Sequence, residues 1–184
     1  MPKLKYMAKH PAIFLDRDGT IIEDNGYISN TSDVIFYPHI FKALESLQKH
    51  FLLFVITNQS GISKGLISES EVQGVNTFIT ETLKTKGIAI FDTFYCPHTN
   101  EDNCNCKKPK PYFIKKAAQL YNVDLTRSFI IGDHPSDVEC GINAGVTPIY
   151  LLSGHGKKHQ DELFFNSKVC KDLSYASKFI MSTL

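Results

Sequence analysis

The chain is 184 residues long, 42% hydrophobic and 21% charged, and its 20 Lys and Arg against 19 Asp and Glu leave a formal charge of +1. That length suits one buried core and is short for two, and so small a charge provides no overall field to draw nucleic acid or an anionic membrane, so any anion recognition has to be local. No apolar run approaches the roughly 20 residues that span a bilayer, and Met1 to His10 lacks the apolar centre of a signal peptide, so the expectation is one domain (1–184), cytoplasmic and monomeric.

The first apolar run, Ala12 to Leu15, is closed by charge and Gly, as a buried strand is. It leads into Asp16-Arg17-Asp18-Gly19-Thr20. In an open α/β sheet the carboxyl ends of the strands border the ligand crevice. Period-2 geometry points Asp16 and Asp18 in similar directions, and Gly19 lets the chain turn sharply behind them. Two carboxylates then meet in one small space. An EF-hand loop carries its glycine at the sixth position from the first Asp, whereas Gly19 is the fourth, so that reading fails. A plain Asp-Gly turn remains open at this point.

His39 to Lys49 sets Phe41, Leu44 and Leu47 on one side of a helix. Leu52 to Thr57 reads as a second strand, ending in Thr57-Asn58-Gln59-Ser60-Gly61, a hydroxyl and amide cluster suited to phosphate oxygens or, equally, to a polar turn with a helix cap. Glu69 to Lys86 places Val72, Val75, Ile79 and Leu83 on one helical face, and Phe91 to Tyr95 is a third strand. A helix over Tyr112 to Tyr121, a strand over Ser128 to Gly132, a helix over Asp137 to Ala144 and a strand over Thr147 to Leu152 continue the alternation. Lys168 to Cys170 is a short edge strand, and Leu173, Tyr175, Phe179 and Ile180 mark a last helix. Such a series predicts α/β architecture, a doubly wound parallel sheet with helices on both faces.

The strand ends can therefore be read together. The fourth strand ends in Gly132-Asp133-His134-Pro135-Ser136-Asp137, and two further acids beside Asp16 and Asp18 would repel unless a divalent cation sat among them, for which hard oxygen ligands select Mg²⁺. Asp137 alone would also suit the first turn of a helix. Carboxylate attack on a phosphate dianion needs positive charge, and Lys108 of Lys107-Lys108-Pro109-Lys110 is the candidate; Lys110, Lys115 and Lys116 read as solvated surface.

Asp16-x-Asp18-Gly19-Thr20, Thr57, Lys108 and Gly132-Asp133-xxx-Asp137, in that order and each in its structural context, resemble the haloacid dehalogenase (HAD) phosphohydrolases over most of the chain. The resemblance implies Asp16 as a nucleophile forming an aspartyl-phosphate and Asp18 as general acid and then base. It also implies Mg²⁺ held by Asp16, the backbone carbonyl of Asp18, and Asp133, with Asp137 behind them.

Cys96-Pro97-His98, five residues, then Cys104-Asn105-Cys106 supplies three sulfurs and one nitrogen, a closed set for structural Zn²⁺; a pair of Cys-rich turns or a disulfide is the weaker alternative. Cys140 and Cys170 lack such partners and read as small buried apolar side chains. Because Cys106 adjoins Lys107, a metal there would stiffen Lys107 and Lys108 against the phosphate. The gaps from Thr20 to Thr57 and from Thr57 to Lys108 have no room for a cap domain. The zinc loop narrows the resemblance to a capless subfamily that includes D-glycero-D-manno-heptose-1,7-bisphosphate 7-phosphatase, of the lipopolysaccharide core heptose pathway, and histidinol-phosphate phosphatase.

Asp24-Asn25-Gly26-Tyr27 and Thr57-Asn58-Gln59-Ser60 resemble the heptose enzyme's substrate loops, which implies that they contact a small phosphate ester, together with Lys107, Lys108 and His134. The chain has Lys107 where heptose enzymes usually have Arg, and His134 where they have Lys. The short spacer between His98 and Cys104 is shared with the histidinol-phosphate enzymes. A receiver-like module would carry its phosphoacceptor Asp after the third strand, which here ends in Tyr95-Cys96. A zinc-stabilised interaction domain without activity would not need the full acid set with Lys108.

Overall fold

In the computed structural model, which describes residues 8–163 and 167–184, six strands form one sheet: β1 (Ala12–Leu15), β2 (Leu52–Asn58), β3 (Ile90–Cys96), β4 (Phe129–Gly132), β5 (Thr147–Leu151) and β6 (Lys168–Cys170). The first seven residues of the segment read for a signal peptide lie outside that range. Every pairing is parallel and the spatial order is β3-β2-β1-β4-β5-β6. This order differs from the 2-1-3-4-5 arrangement of receiver-like folds, which removes that reading.

The helices are α1 (Ile40–Leu47), α2 (Glu69–Thr85), α3 (Tyr112–Tyr121), α4 (Pro135–Ala144), α5 (Gly156–His159) and α6 (Leu173–Met181). Ile40, Ala43, Leu44 and Leu47 recur at helical spacing and are all buried, and Ser68 starts α2 with a capping box closed by Glu71. Alternate side chains of β1 feed two cores. Ile13 and Leu15 pack with buried residues of α1, α2 and α6, while Ala12 and Phe14 pack with those of α3 and α4. Each fully buried Leu or Ile there contributes about 1.5–3 kcal/mol of transfer free energy.

Two expectations move. Helix α4 begins at Pro135, because Pro suits a first helical position and His134 caps it, so Asp137 is the third residue of the helix and closes a capping box back to His134. In the tail, Leu173 and Ile180 face the core but Tyr175 is 52% exposed. The short α5 carries no apolar periodicity that would have announced it. Among the described residues no helix is long and apolar enough to cross a membrane. The interval from Thr20 to Thr57 holds a bridged loop, α1 and part of β2, and that from Thr57 to Lys108 holds α2, β3 and the cysteine loop, so no cap is inserted in either.

Candidate active site

The order of strands reverses between β1 and β4, and the crevice opens beyond their carboxyl ends, as expected for this sheet type. The Asp16 amide donates to Ile131 O at 2.9 Å, continuing the β1–β4 ladder one residue past the strand. Asp16 and Asp133 thus project from neighbouring strand ends. One carboxylate oxygen from each of Asp16, Asp133 and Asp137 lies within 4.8 Å of the others. Lys108 answers them: its Nζ is 2.8 Å from Asp16 Oδ1 and 2.6 Å from Asp137 Oδ1, and it donates to Ile56 O at 3.1 Å.

Burial raises Asp16 to about 6 against the pull of Lys108, and burial followed by repulsion from Asp16 and Asp137 raises Asp133 to about 8. Burial also opposes the charge of Lys108, but Asp137 and Asp16 outweigh it and hold the ammonium. Three carboxylates against one ammonium form an oxygen-rich, negative cluster, the donor set that a hard divalent cation fits.

Asp18 lines the same crevice, but its carboxylate is not part of that cluster. Strand β1 ends at Leu15, so period-2 alternation no longer governs Asp18. Instead Arg17, 1% exposed, forks onto it, with Nε at 3.1 Å from Oδ1 and Nη2 at 2.9 Å from Oδ2, while Nη1 donates to Asn76 of α2 at 2.8 Å. Gln59 Nε2 donates to Asp18 Oδ2 at 2.7 Å and to Thr57 Oγ1 at 2.8 Å. Burial pushes the Asp18 carboxyl up, with Arg17 working against it.

The crevice encloses about 680 Å³ and brings together Asp16, Asp18, Asp24, Gly26, Tyr27, Thr57, Asn58, Gln59, Lys107, Lys108, Asp133 and His134. Asn25 and Ser60 lie outside its lining, Asn25 being exposed on its loop and Ser60 half-buried. Four lining residues had gone unassigned: Asn100, Pro109, Ser136 and His155. Ser136 lies inside the Asp133–Asp137 motif and Pro109 inside Lys107-Lys108-Pro109-Lys110; nothing local marks Asn100 and His155. A groove of about 730 Å³ between α2 and β3 contains none of the acids of the cluster and no Lys108.

Asn58 grips the backbone of Lys108 from both sides, its Oδ1 accepting from Lys108 N at 3.0 Å and its Nδ2 donating to Lys108 O at 3.3 Å. Lys107 donates to His98 O at 3.2 Å. His134 caps α4 through Nδ1, and burial, followed by His159 and Lys108, pushes its imidazole down in pKa. Tyr27 accepts from Lys64 Nζ at 2.8 Å.

Beside Lys107, the Cys96, His98, Cys104 and Cys106 donors lie within 4.8 Å of one another. Cys96 Sγ is 3.6 Å from Cys104 Sγ, 3.3 Å from Cys106 Sγ and 3.6 Å from His98 Nδ1. The edge of a tetrahedron built on metal–sulfur bonds of about 2.3 Å is about 3.8 Å, so the four donors are nearly in ligand positions. Cys140 and Cys170 are both buried, as small apolar side chains.

A family profile described as HAD-hydrolase-like matches residues 105–176. D-glycero-beta-D-manno-heptose-1,7-bisphosphate 7-phosphatase of Helicobacter pylori J99 is 40% identical over 144 residues, 77% of this chain and 83% of its own. The enzyme of that name from Vibrio cholerae is 36% identical over 165 residues, 85% of this chain and 88% of its own. The D,D-heptose 1,7-bisphosphate phosphatase structure from B. bronchiseptica, complexed with magnesium and phosphate, superposes with a TM-score of 0.87 at 27% identity, covering 95% of this chain and 99% of that one. With such relatives along most of its length, the chain belongs to the heptose-1,7-bisphosphate 7-phosphatase family of HAD-type enzymes and is a phosphoric monoester hydrolase.

Proposed function

We propose that the protein removes the C7 phosphate of D-glycero-D-manno-heptose 1,7-bisphosphate through a phosphoaspartate on Asp16. The observation that carries this reading is the ion pair of Asp16 and Lys108 beside Asp133 and Asp137, with Asp18 in the same crevice. Lys108 and the Arg17 amide both bind Asp16 Oδ1, which leaves Oδ2 free to attack. As Oδ2 bonds to phosphorus the ester P–O bond breaks, and Asp18 gives its proton to the departing sugar oxygen. Asp18 then takes a proton from water, whose oxygen displaces Asp16 from phosphorus. Phosphate leaves and both carboxyl groups return to their starting states.

Asp16, Asp133 and the backbone carbonyl of Asp18 would hold Mg²⁺, which when bound supplies charge neutralisation at the phosphoryl oxygens. Cys96, His98, Cys104 and Cys106 would hold a structural Zn²⁺ that fixes the loop leading to Lys107 and Lys108. The names of the relatives support the substrate, as do Asp24, Gly26 and Tyr27 along one wall of the crevice. The test has two parts. Asp16→Asn should abolish Mg²⁺-dependent phosphate release while the protein stays folded, and retained turnover would sink the nucleophile. Comparing kcat/KM on heptose 1,7-bisphosphate, histidinol phosphate and common sugar phosphates should favour the first, and preference for histidinol phosphate would overturn the substrate.

A further inference from the structure

The loop after β5, Ser153-Gly154-His155, belongs to none of the motifs that announce the active site, yet it touches two of them. The His155 amide donates to Asp133 Oδ2 at 2.8 Å, and Ser153 Oγ donates to Gly19 O at 2.7 Å. The Gly154 amide donates to the hydroxyl of Tyr37 at 3.0 Å. Gly154 has φ +51, and a Cβ built on it would lie 2.2 Å from Asp133 Oδ2 and 2.5 Å from the Gly19 Cα. A Cβ on Gly19, at φ +77, would lie 2.1 Å from the same Asp133 oxygen. The Asp133 carboxylate therefore occupies a slot walled by two glycines. The far end of the loop is tied down as well: buried Tyr150 donates to Gly156 O at 2.8 Å, and Gly156 has no room for a side chain against Leu151 O.

We infer that Ser153, Gly154 and His155, with Tyr37 behind them, are positioning residues that set the Asp133 carboxylate for the divalent cation. The His155 amide takes Oδ2, so Oδ1 is the oxygen turned to the metal. Outer hydrogen-bond partners of this kind fix ligand orientation, and their loss weakens metal binding about 10–100-fold. Gly is required at 154 because both its left-handed backbone and the missing Cβ are used.

This rests on Asp133 being a Mg²⁺ ligand, and direct titration of Mg²⁺ into substrate-free, full-length protein separates the two claims. Wild type that binds no Mg²⁺ would remove the ligand assignment and this inference with it. Wild type that binds, with Gly154→Ala binding equally well, would sink the inference alone. The expected result is a dissociation constant raised about 10–100-fold in Gly154→Ala. Gly87→Ala, at φ +74 with open space around it, imposes left-handed strain without touching Asp133 and should bind as wild type. Should Gly154→Ala fail to fold, Tyr37→Phe decides, since it removes one hydroxyl. Weaker Mg²⁺ binding at an unchanged Tm supports the clamp, and wild-type binding overturns it.

Discussion

Lys108 Nζ stands 2.8 Å from Oδ1 of Asp16, in a pair whose side chains are 3% and 12% exposed. The same ammonium holds Asp137, so a single cation offsets the charge of two acids of the cluster. Lys108→Met should lower phosphate release by about 10²–10³-fold, the usual cost of losing one preorganised donor to a phosphoryl or acyl oxyanion. It should also lower Tm, since the buried carboxylates lose their partner. Steady-state turnover at saturating Mg²⁺ checks this, and a variant keeping more than about a tenth of the wild-type rate contradicts it.

Arg17 and Gln59 hold the carboxylate of Asp18, the proposed general acid. Asp18→Asn should slow hydrolysis of a sugar phosphate by about 10²–10⁴-fold. An aryl phosphate, whose leaving group needs no proton, should suffer less in its first step. Burst-phase measurement of the aryl alcohol reads that step directly, and an equal loss on both substrates would remove Asp18 as general acid.

The acid cluster makes the magnesium-free protein sensitive to pH. Asp133 is raised to about 8 and Asp16 to about 6 from an ordinary 3.8, so the folded state holds these protons more tightly than the unfolded chain. Their contribution to stability is whole below about pH 4 and is lost as the pH climbs through 6 and then 8. Tm in magnesium-free buffer should therefore fall between about pH 5 and 8.5, and added Mg²⁺, which displaces those protons, should raise it most at the upper end. A stabilisation by Mg²⁺ that is the same at both ends would contradict the coupling.

The cysteine cluster predicts roughly one tightly bound Zn²⁺ per chain in freshly purified protein. Cys104→Ser should lower that content and, through Lys107 and Lys108, the turnover. Elemental analysis and kinetics on the same preparation decide the matter; full activity without zinc would separate the loop from catalysis.

The strand-end residues were legible because each sits in a local pattern that dictates its own place: an apolar run then acid for Asp16 and Asp133, a Lys-Pro before a helix for Lys108. Asp137 takes its place beside Asp16 and Asp133 as the third residue of α4, where its carboxylate pairs with Lys108. His155 and Asn100 were silent because their positions depend on where a loop returns to the sheet, which no neighbouring residue encodes. Asn25 and Ser60 sit on loops whose neighbours line the crevice without lining it themselves. A motif names a loop, but not which of its residues face the crevice: Asn25 and Tyr27 are both exposed on one loop, and of the two Tyr27 lines the crevice.

Strand β1 is flanked on both sides and fully buried along its length, and Asp16, the proposed nucleophile, is its next residue. Amide protons in such a strand exchange only through near-global opening, whereas surface loops open at far lower cost. The rim loop that carries exposed Asn25, Gly26 and Tyr27 can thus open locally without disturbing the strand that carries Asp16. Mobility at the rim and permanence at the base come from the same chain, separated by only eight residues from Asp16 to Asp24.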